Sequence, residues 1–295
     1  MPISILCLGD LVGKPGRVVL AELLPDFIRE RGVDFVVANA ENAAGGSGLT
    51  PPIFEKILCA GVDVCTLGDH AFRKREVLGI LDHERLVRPA NFPPGTPGKG
   101  LTIVSAGPRD PAALPQRGPV KIANLNVMGR LHMNPQMDDP FRAVDELLAQ
   151  VPTEVKIRIL DFHAEVSSEK VAMGWYVAGR VSICFGTHTH VPTADARILR
   201  LDNGPATTAF VSDLGMCGPY DSILGRRKDR ILKFMTTGLP QFFEVATADP
   251  RLSGIVVSVD EVGGHALTIE RIDLAGTEQA AAYDPDDPKP RPMGY

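Results

Sequence analysis

Val33 to Asn42, read as VDFVVANAEN, decides the fold class: a short run of β-branched and aromatic residues, apolar on both faces, stops at a carboxylate (Glu41) and an amide (Asn42). A strand with two apolar faces belongs inside a parallel sheet covered by helices. The neighbouring stretches repeat the pattern. Upstream, Ile3 to Leu8 ends at Gly9 and Asp10; downstream, Val62 to Leu67 ends at Gly68, Asp69 and His70. Arg17 to Glu30 and Pro51 to Leu58 read as the helices between them, which gives the βαβ rhythm of an α/β protein.

Beyond a Pro/Gly-rich loop at Arg88 to Gly100 (RPANFPPGTPGKG), strands are expected at Leu101 to Ser105, Val120 to Val127, Val155 to Phe162, Val181 to Gly186 and Thr207 to Ser212. A helix is expected at Pro140 to Gln150, opened by Asp139 and Pro140. Gly254 to Asp260 and His265 to Ile272 read as an antiparallel hairpin. The sequence therefore predicts one domain over residues 1–273, followed by an Asp/Pro/Lys-rich flexible tail over 274–295.

The 295 residues carry 31 Lys+Arg against 36 Asp+Glu, a formal charge of −5, so the chain lacks the basic face of a dedicated DNA-binding protein. No apolar run is long enough to span a membrane, and no basic leader opens the chain. We expect a soluble cytoplasmic protein acting on a small phosphate or nucleotide rather than on DNA or a membrane. The five cysteines form no CxxC pair and read as core residues.

The chemistry gathers where the strands end. Asp10, Glu41, Asn42, Asp69 and His70 each lie just past a parallel strand, at the edge where open α/β sheets place ligands. His163 (DFHAE) and the pair His188 and His190 (GTHTH) follow two later strands. Two histidines two residues apart on extended chain would point the same way and reach adjacent ions. Singly, each residue has a structural use as a cap, a surface group or a hydrogen-bonded core imidazole. Together they would be costly at one edge without a partner charge, and a pair of divalent cations supplies it. Carboxylate, amide and imidazole donors without thiolate suit Mn, Fe, Zn or Ni and disfavour Ca.

GDLVGKPGR, NAENAAGGSGLT, TLGDHAF, DFHAEVSSEKVAMGWYVAGRV, GTHTHVPTAD and SDLGMCGPYDSILG together resemble the YmdB-type metallophosphoesterases of the calcineurin-like phosphoesterase superfamily, from about Ile3 to Ile272. The resemblance implies a two-sheet sandwich flanked by helices (α/β/β/α) with a dinuclear centre at one edge, self-association, and hydrolysis of small phosphodiesters, notably 2′,3′-cyclic nucleotides. Carried over residue by residue, it assigns Asp10, Asn42 and His190 to one ion, Asp69, His163 and His188 to the other, Glu41 to a bridge and His70 to the general acid. The ions it implies are Fe and/or Mn, with Zn as an alternative. Arg17 and Arg130 are candidates for contacting the substrate phosphate.

One residue departs from the pattern: Asp69 stands where the family reads Asn. Three carboxylates and a hydroxide would neutralise two divalent ions, favouring a trivalent ion or weakening the hold on anionic substrate. Two other readings share these residues. One is a phosphomonoesterase or protein phosphatase, the other a nucleotide-sensing regulatory protein with little turnover.

Overall fold

The computed structural model describes residues 2–107, 109, 118–202 and 204–277. Its strands and α-helices run β1 (Pro2–Leu8), β2 (Asp10–Leu11), α1 (Gly13–Arg31), β3 (Phe35–Asn39), α2 (Pro51–Cys59), β4 (Val64–Thr66), β5 (Leu86–Val87), β6 (Leu101–Ala106) and β7 (Val120–Met128) in the first half. The second half adds α3 (Pro140–Gln150), β8 (Ile157–His163), α4 (Ser167–Tyr176), β9 (Ile183–Thr187), β10 (Arg197–Arg200), β11 (Thr207–Val211), β12 (Met216–Pro219), α5 (Lys228–Thr237), β13 (Pro250–Asp260) and β14 (Ala266–Ala275).

The strands form two sheets. The eight-stranded sheet has the order β2-β12-β13-β1-β3-β4-β5, with β14 paired to β13; the six-stranded sheet has the order β10-β11-β9-β8-β7-β6. In the first, β1, β3, β4 and β5 are parallel, and β13 inserts antiparallel beside β1. In the second, β7, β8, β9 and β11 are parallel, and β6 and β10 close the edges antiparallel.

Alternation along the strands makes this a four-layer sandwich. Ile3, Ile5 and Cys7 of β1 join Ile157 and Ile159 of β8 and Phe185 of β9 in one buried cluster between the sheets. The intervening Leu6 and Leu8 turn the other way, onto Leu20, Leu24 and Phe27 of α1 and Ile53 and Phe54 of α2. Leu160 and Phe162 of β8 likewise pack outward on Val144 and Leu147 of α3 and Met173 of α4. The two-sheet α/β expectation therefore holds, and Cys7, Cys65, Cys184 and Cys217 are buried packing residues, while Cys59 is exposed.

Asp139 caps α3 as expected, its carboxylate accepting the Phe141 and Arg142 N–H groups. Helix α1 starts four residues earlier than the sequence suggests, because Pro15 fits a first helical turn, where its missing N–H costs nothing. Gly16 sits against the Cys217 carbonyl, where a Cβ would come within 2.3 Å, so this glycine sets how closely α1 packs on β12. β14 continues to Ala275, beyond the expected domain end at residue 273, and Gly276 N–H donates to Pro250 O. The expected tail beyond 277 lies outside the described residues.

Candidate metal centre

The parallel strands of both sheets end at one edge, and the polar residues collect there. Asp10 opens β2 directly after β1, Glu41 and Asn42 follow β3, and Asp69 and His70 follow β4. From the second sheet, His163 ends β8, and His188 and His190 follow β9. The first sheet thus carries the carboxylates, the amide and His70, and the second the other three imidazoles.

Donor atoms of Glu41, Asp69, His163 and His188 lie within 4.8 Å of one another, so this cluster can hold a metal ion. His163 Nε2 is 3.1 Å from Asp69 Oδ1 and 3.3 Å from Glu41 Oε1, and His188 Nδ1 is 3.2 Å from Asp69 Oδ1. Alongside it, His190 Nε2 lies 3.2 Å from Asn42 Nδ2 and 3.8 Å from Asp10 Oδ1, which is the second expected grouping. Glu41 touches both groups, because its Oε1 accepts from Asn42 Nδ2 at 3.1 Å. The loop carrying Asp69 can approach this closely only because residue 68 is glycine. A Cβ there would lie 2.2 Å from His163 Nε2 and 2.4 Å from Glu41 Oε2.

The electrostatics fit a cation. Asp10 is fully buried, yet its Oδ1 has no hydrogen-bond partner, while Oδ2 accepts the His188 N–H at 3.1 Å. Burial pushes the Asp10 carboxyl up, against the pull of His190 and His163. Burial also works to raise Asp69 and Glu41, but the imidazoles overcome it. Hydrogen bonds from His163 and His188 hold Asp69 far below the usual carboxylate range, and the charge of His163 lowers Glu41. Burial opposes charge on His163, whereas Glu41 and Asp69 raise it well above an ordinary imidazole. The carboxylates thus favour positive charge at this edge, the charge a metal ion would supply.

Support for His163 comes from residues that pattern reading passes over. Its Nδ1 donates to Thr187 Oγ1 at 2.8 Å, and that hydroxyl donates to Asp161 Oδ1 at 2.7 Å. Asn39 and Thr66 also donate to Asp161, whose carboxyl burial raises to about 6. The chain Asp161–Thr187–His163 fixes the ring so that Nε2 faces the cluster, the outer-shell arrangement typical of ligating histidines. The signal for Asp161 is in the sequence: a carboxylate within the apolar run Val155 to Phe162 needs a partner.

The two later histidines reach their places differently from the expected extended geometry. β9 stops at Thr187, and His188 and His190 have φ of 98° and 63°, in the left-handed region. They therefore diverge, His188 toward Asp69 and Glu165, His190 toward Asp10 and Asn42. Such backbone is unfavourable for side-chain-bearing residues and needs external support. Asp213 provides it, accepting the Thr189 N–H and hydroxyl while forming a 2.5 Å ion pair with Lys170. Both members of that pair are almost completely buried. Lys170→Ala would leave Asp213 unpaired, and is expected to destabilise the protein by about 3–5 kcal/mol in urea unfolding. Lys170→Met paired with Asp213→Asn is expected to lose less. Equal stability of Lys170→Ala and the parent would mean that the pair does not support the turn.

The arginines differ in placement. Arg17 lies buried within α1, and its guanidinium donates to Ala43 O, underneath the loop that carries Asn42. The structure thus gives Arg17 a role in shaping that loop. Arg130 stands on the loop after β7, and its side chain has no hydrogen-bond or ion-pair partner among the described residues. His70, a quarter exposed, points Nδ1 at Asn42 Oδ1 (2.6 Å), and its backbone N–H donates to Glu41 Oε2 (2.9 Å).

Comparison with known proteins decides the family. A family model described as YmdB-like protein matches residues 6–272. The chain belongs to the YmdB-like family. It is 44% identical to the 2′,3′-cyclic-nucleotide 2′-phosphodiesterase of Bacillus subtilis (strain 168) over 269 residues, covering 91% of this chain and 96% of the relative. A crystal structure of a hypothetical protein from Thermus thermophilus matches with a TM-score of 0.81 at 39% identity, covering 93% of this chain and 100% of that one. A Mycoplasma pneumoniae structure, described as a novel phosphatase, matches with a TM-score of 0.82 at 30% identity over 93% and 94% of the two chains. No helix among the described residues is long and apolar enough to cross a membrane.

Proposed function

We propose that this protein is a metal-dependent phosphodiesterase hydrolysing small phosphodiesters, 2′,3′-cyclic nucleotides foremost. The observation that carries the reading is the pairing of the Glu41, Asp69, His163 and His188 cluster with the orphaned, buried Asp10 Oδ1 beside it. Asp69, His163 and His188 would hold one ion, Asp10, Asn42 and His190 a second, and Glu41 both; Fe and/or Mn suit these donors, with Zn an alternative. Ions so held would polarise the phosphoryl oxygens and make water nucleophilic near neutral pH.

The chain's own groups do the rest. Asn42 Oδ1, with two lone pairs, orients His70 through Nδ1 and still has acceptor capacity. His70 is thereby positioned to give a proton to the departing ribose oxygen, the general-acid step that an imidazole suits at neutral pH. Asp161 and Thr187 keep His163 oriented throughout. The relative's name, cyclic-nucleotide phosphodiesterase, supports the substrate class.

The test is a parallel assay of the Mn- and Fe-loaded protein on 2′,3′-cyclic AMP, 3′,5′-cyclic AMP and p-nitrophenyl phosphate. Turnover of the 2′,3′-cyclic diester, abolished by a chelator, is expected. The Mycoplasma relative described as a phosphatase favours phosphomonoester hydrolysis as a second reading, and turnover of the monoester alone would establish it.

Asp69 carries its own prediction. Asp69→Asn keeps a ligand oxygen but removes one negative charge, so metal content is expected to persist while KM for the anionic diester falls several-fold, on the order of 1 kcal/mol. Elemental analysis and steady-state kinetics check this. A higher KM would reverse the assignment of the charge effect.

A further inference from the structure

A groove of about 500 Å³ opens between the loop 129–139 and α4, with Arg130, Leu131, Gln136, Phe141, Ser168 and Glu169 among its walls. That is a volume suited to a small organic ligand. The loop is clamped from behind. Asn91 accepts the Met128 N–H at 2.8 Å and donates to Met128 O (2.7 Å) and Asp138 O (2.9 Å), joining the two ends. Met128, Met133 and Met137 bury themselves with Phe92 in a small cluster of their own. The loop therefore holds its shape without Leu131, which is 51% exposed.

The backbone at the groove is fixed as well. Buried Glu169 accepts the N–H groups of Arg130 (2.9 Å) and Leu131 (3.3 Å). Its carboxylate is thus engaged by main chain, and the Arg130 guanidinium is left without a partner among the described residues. The segments that wall the groove also adjoin those that carry the candidate metal ligands. Gly129 N–H donates to His163 O (2.9 Å), and Glu165, between His163 and α4, lies 3.3 Å from His188 Nε2.

We propose that this groove binds the nucleoside part of the substrate, with the Arg130 guanidinium and the Leu131 side chain against the base. The proposal rests on the phosphodiesterase reading and specifies where that activity gains its preference for nucleotides. A nucleobase offers a π face to a guanidinium plane and to apolar side chains, and a polar edge to groups such as the Ser168 hydroxyl and the Gln136 amide. A second phosphate is disfavoured, because Asp139 and Glu169 place two carboxylates in the same walls as Arg130.

Two measurements test this. The first compares 2′,3′-cyclic AMP with glycerol 1,2-cyclic phosphate, which has the same five-membered diester ring and no base. Arg130→Ala and Leu131→Ala are each expected to raise KM for the nucleotide about tenfold, and to change kcat/KM for the glycerol diester by less than about twofold. The second titrates adenosine, which carries no phosphate, into the metal-loaded protein by calorimetry; binding is expected, weakened at least about fivefold by Arg130→Ala. Equal losses on both diesters would move Arg130 to the phosphate and overturn the proposal, as would unchanged kinetics or no adenosine binding to the parent. If the parent hydrolyses neither diester but binds adenosine through Arg130, the function reading fails and the groove assignment stands.

Discussion

Glu41→Ala is expected to lower metal content to a small fraction of the parent's and to reduce kcat/KM by on the order of 10³ or more. Glu41 is 1% exposed and central: its oxygens face His163 Nε2, accept from Asn42, and accept the backbone N–H of His70. Truncation removes a contact to both ligand groups and frees the segment bearing Asp69 and His70. The loss of activity and the loss of metal should therefore go together. Elemental analysis after metal reconstitution, read beside steady-state rates, checks this. A variant with full metal content and normal activity would place the metal elsewhere. Glu41→Gln, which keeps the volume and one acceptor oxygen, is expected to fall between the two.

His70→Ala is expected to separate chemistry from metal binding. Its ring bonds Asn42 and approaches Asp69 Oδ2 at 3.4 Å, at the partly open face of the cluster. Removing a proton donor in general-acid catalysis costs about 10²–10⁴ in kcat. That loss is expected on 2′,3′-cyclic AMP, whose departing ribose oxygen needs a proton, with metal content unchanged. On bis(p-nitrophenyl) phosphate, whose leaving group departs as a stable anion, the loss should be far smaller. Equal losses on both diesters would assign His70 to ligand support rather than proton donation.

Much of the site is legible in the sequence because strand ends are legible. Uninterrupted apolar runs such as Val33 to Asn39 mark buried parallel strands, and the polar residues after them stand out against that background. Candidate ligands that directly follow such a run, as His163 does, stand out from pattern alone. What the pattern does not carry depends on contacts between distant segments. The left-handed turn at His188 and His190 is stabilised by Asp213 and Lys170, and nothing local in GTHTH announces it. Arg17 reads as a candidate phosphate contact at a helix start, but α1 begins earlier and buries it, with its guanidinium donating to Ala43 O. Helix α5 carries apolar residues at helical spacing but buries only Ile231, leaving Leu232 and Met235 exposed, so its pattern does not report a core contact. Short strands such as β2 and β12 consist of few residues and are defined by each other rather than by periodicity.

The position of β13 has a consequence for the assembly of the candidate site. Residues 250–260 lie between β12 and β1, so a strand from late in the chain completes the middle of a sheet that the first residues begin. Gly9, beside Asp10, donates its N–H to Ser253 O, and Asp10 N–H donates to Gly215 O. The place of Asp10 thus depends on strands and turns remote from it in sequence, so the candidate metal site is a property of the completed sheet rather than of the first βαβ units.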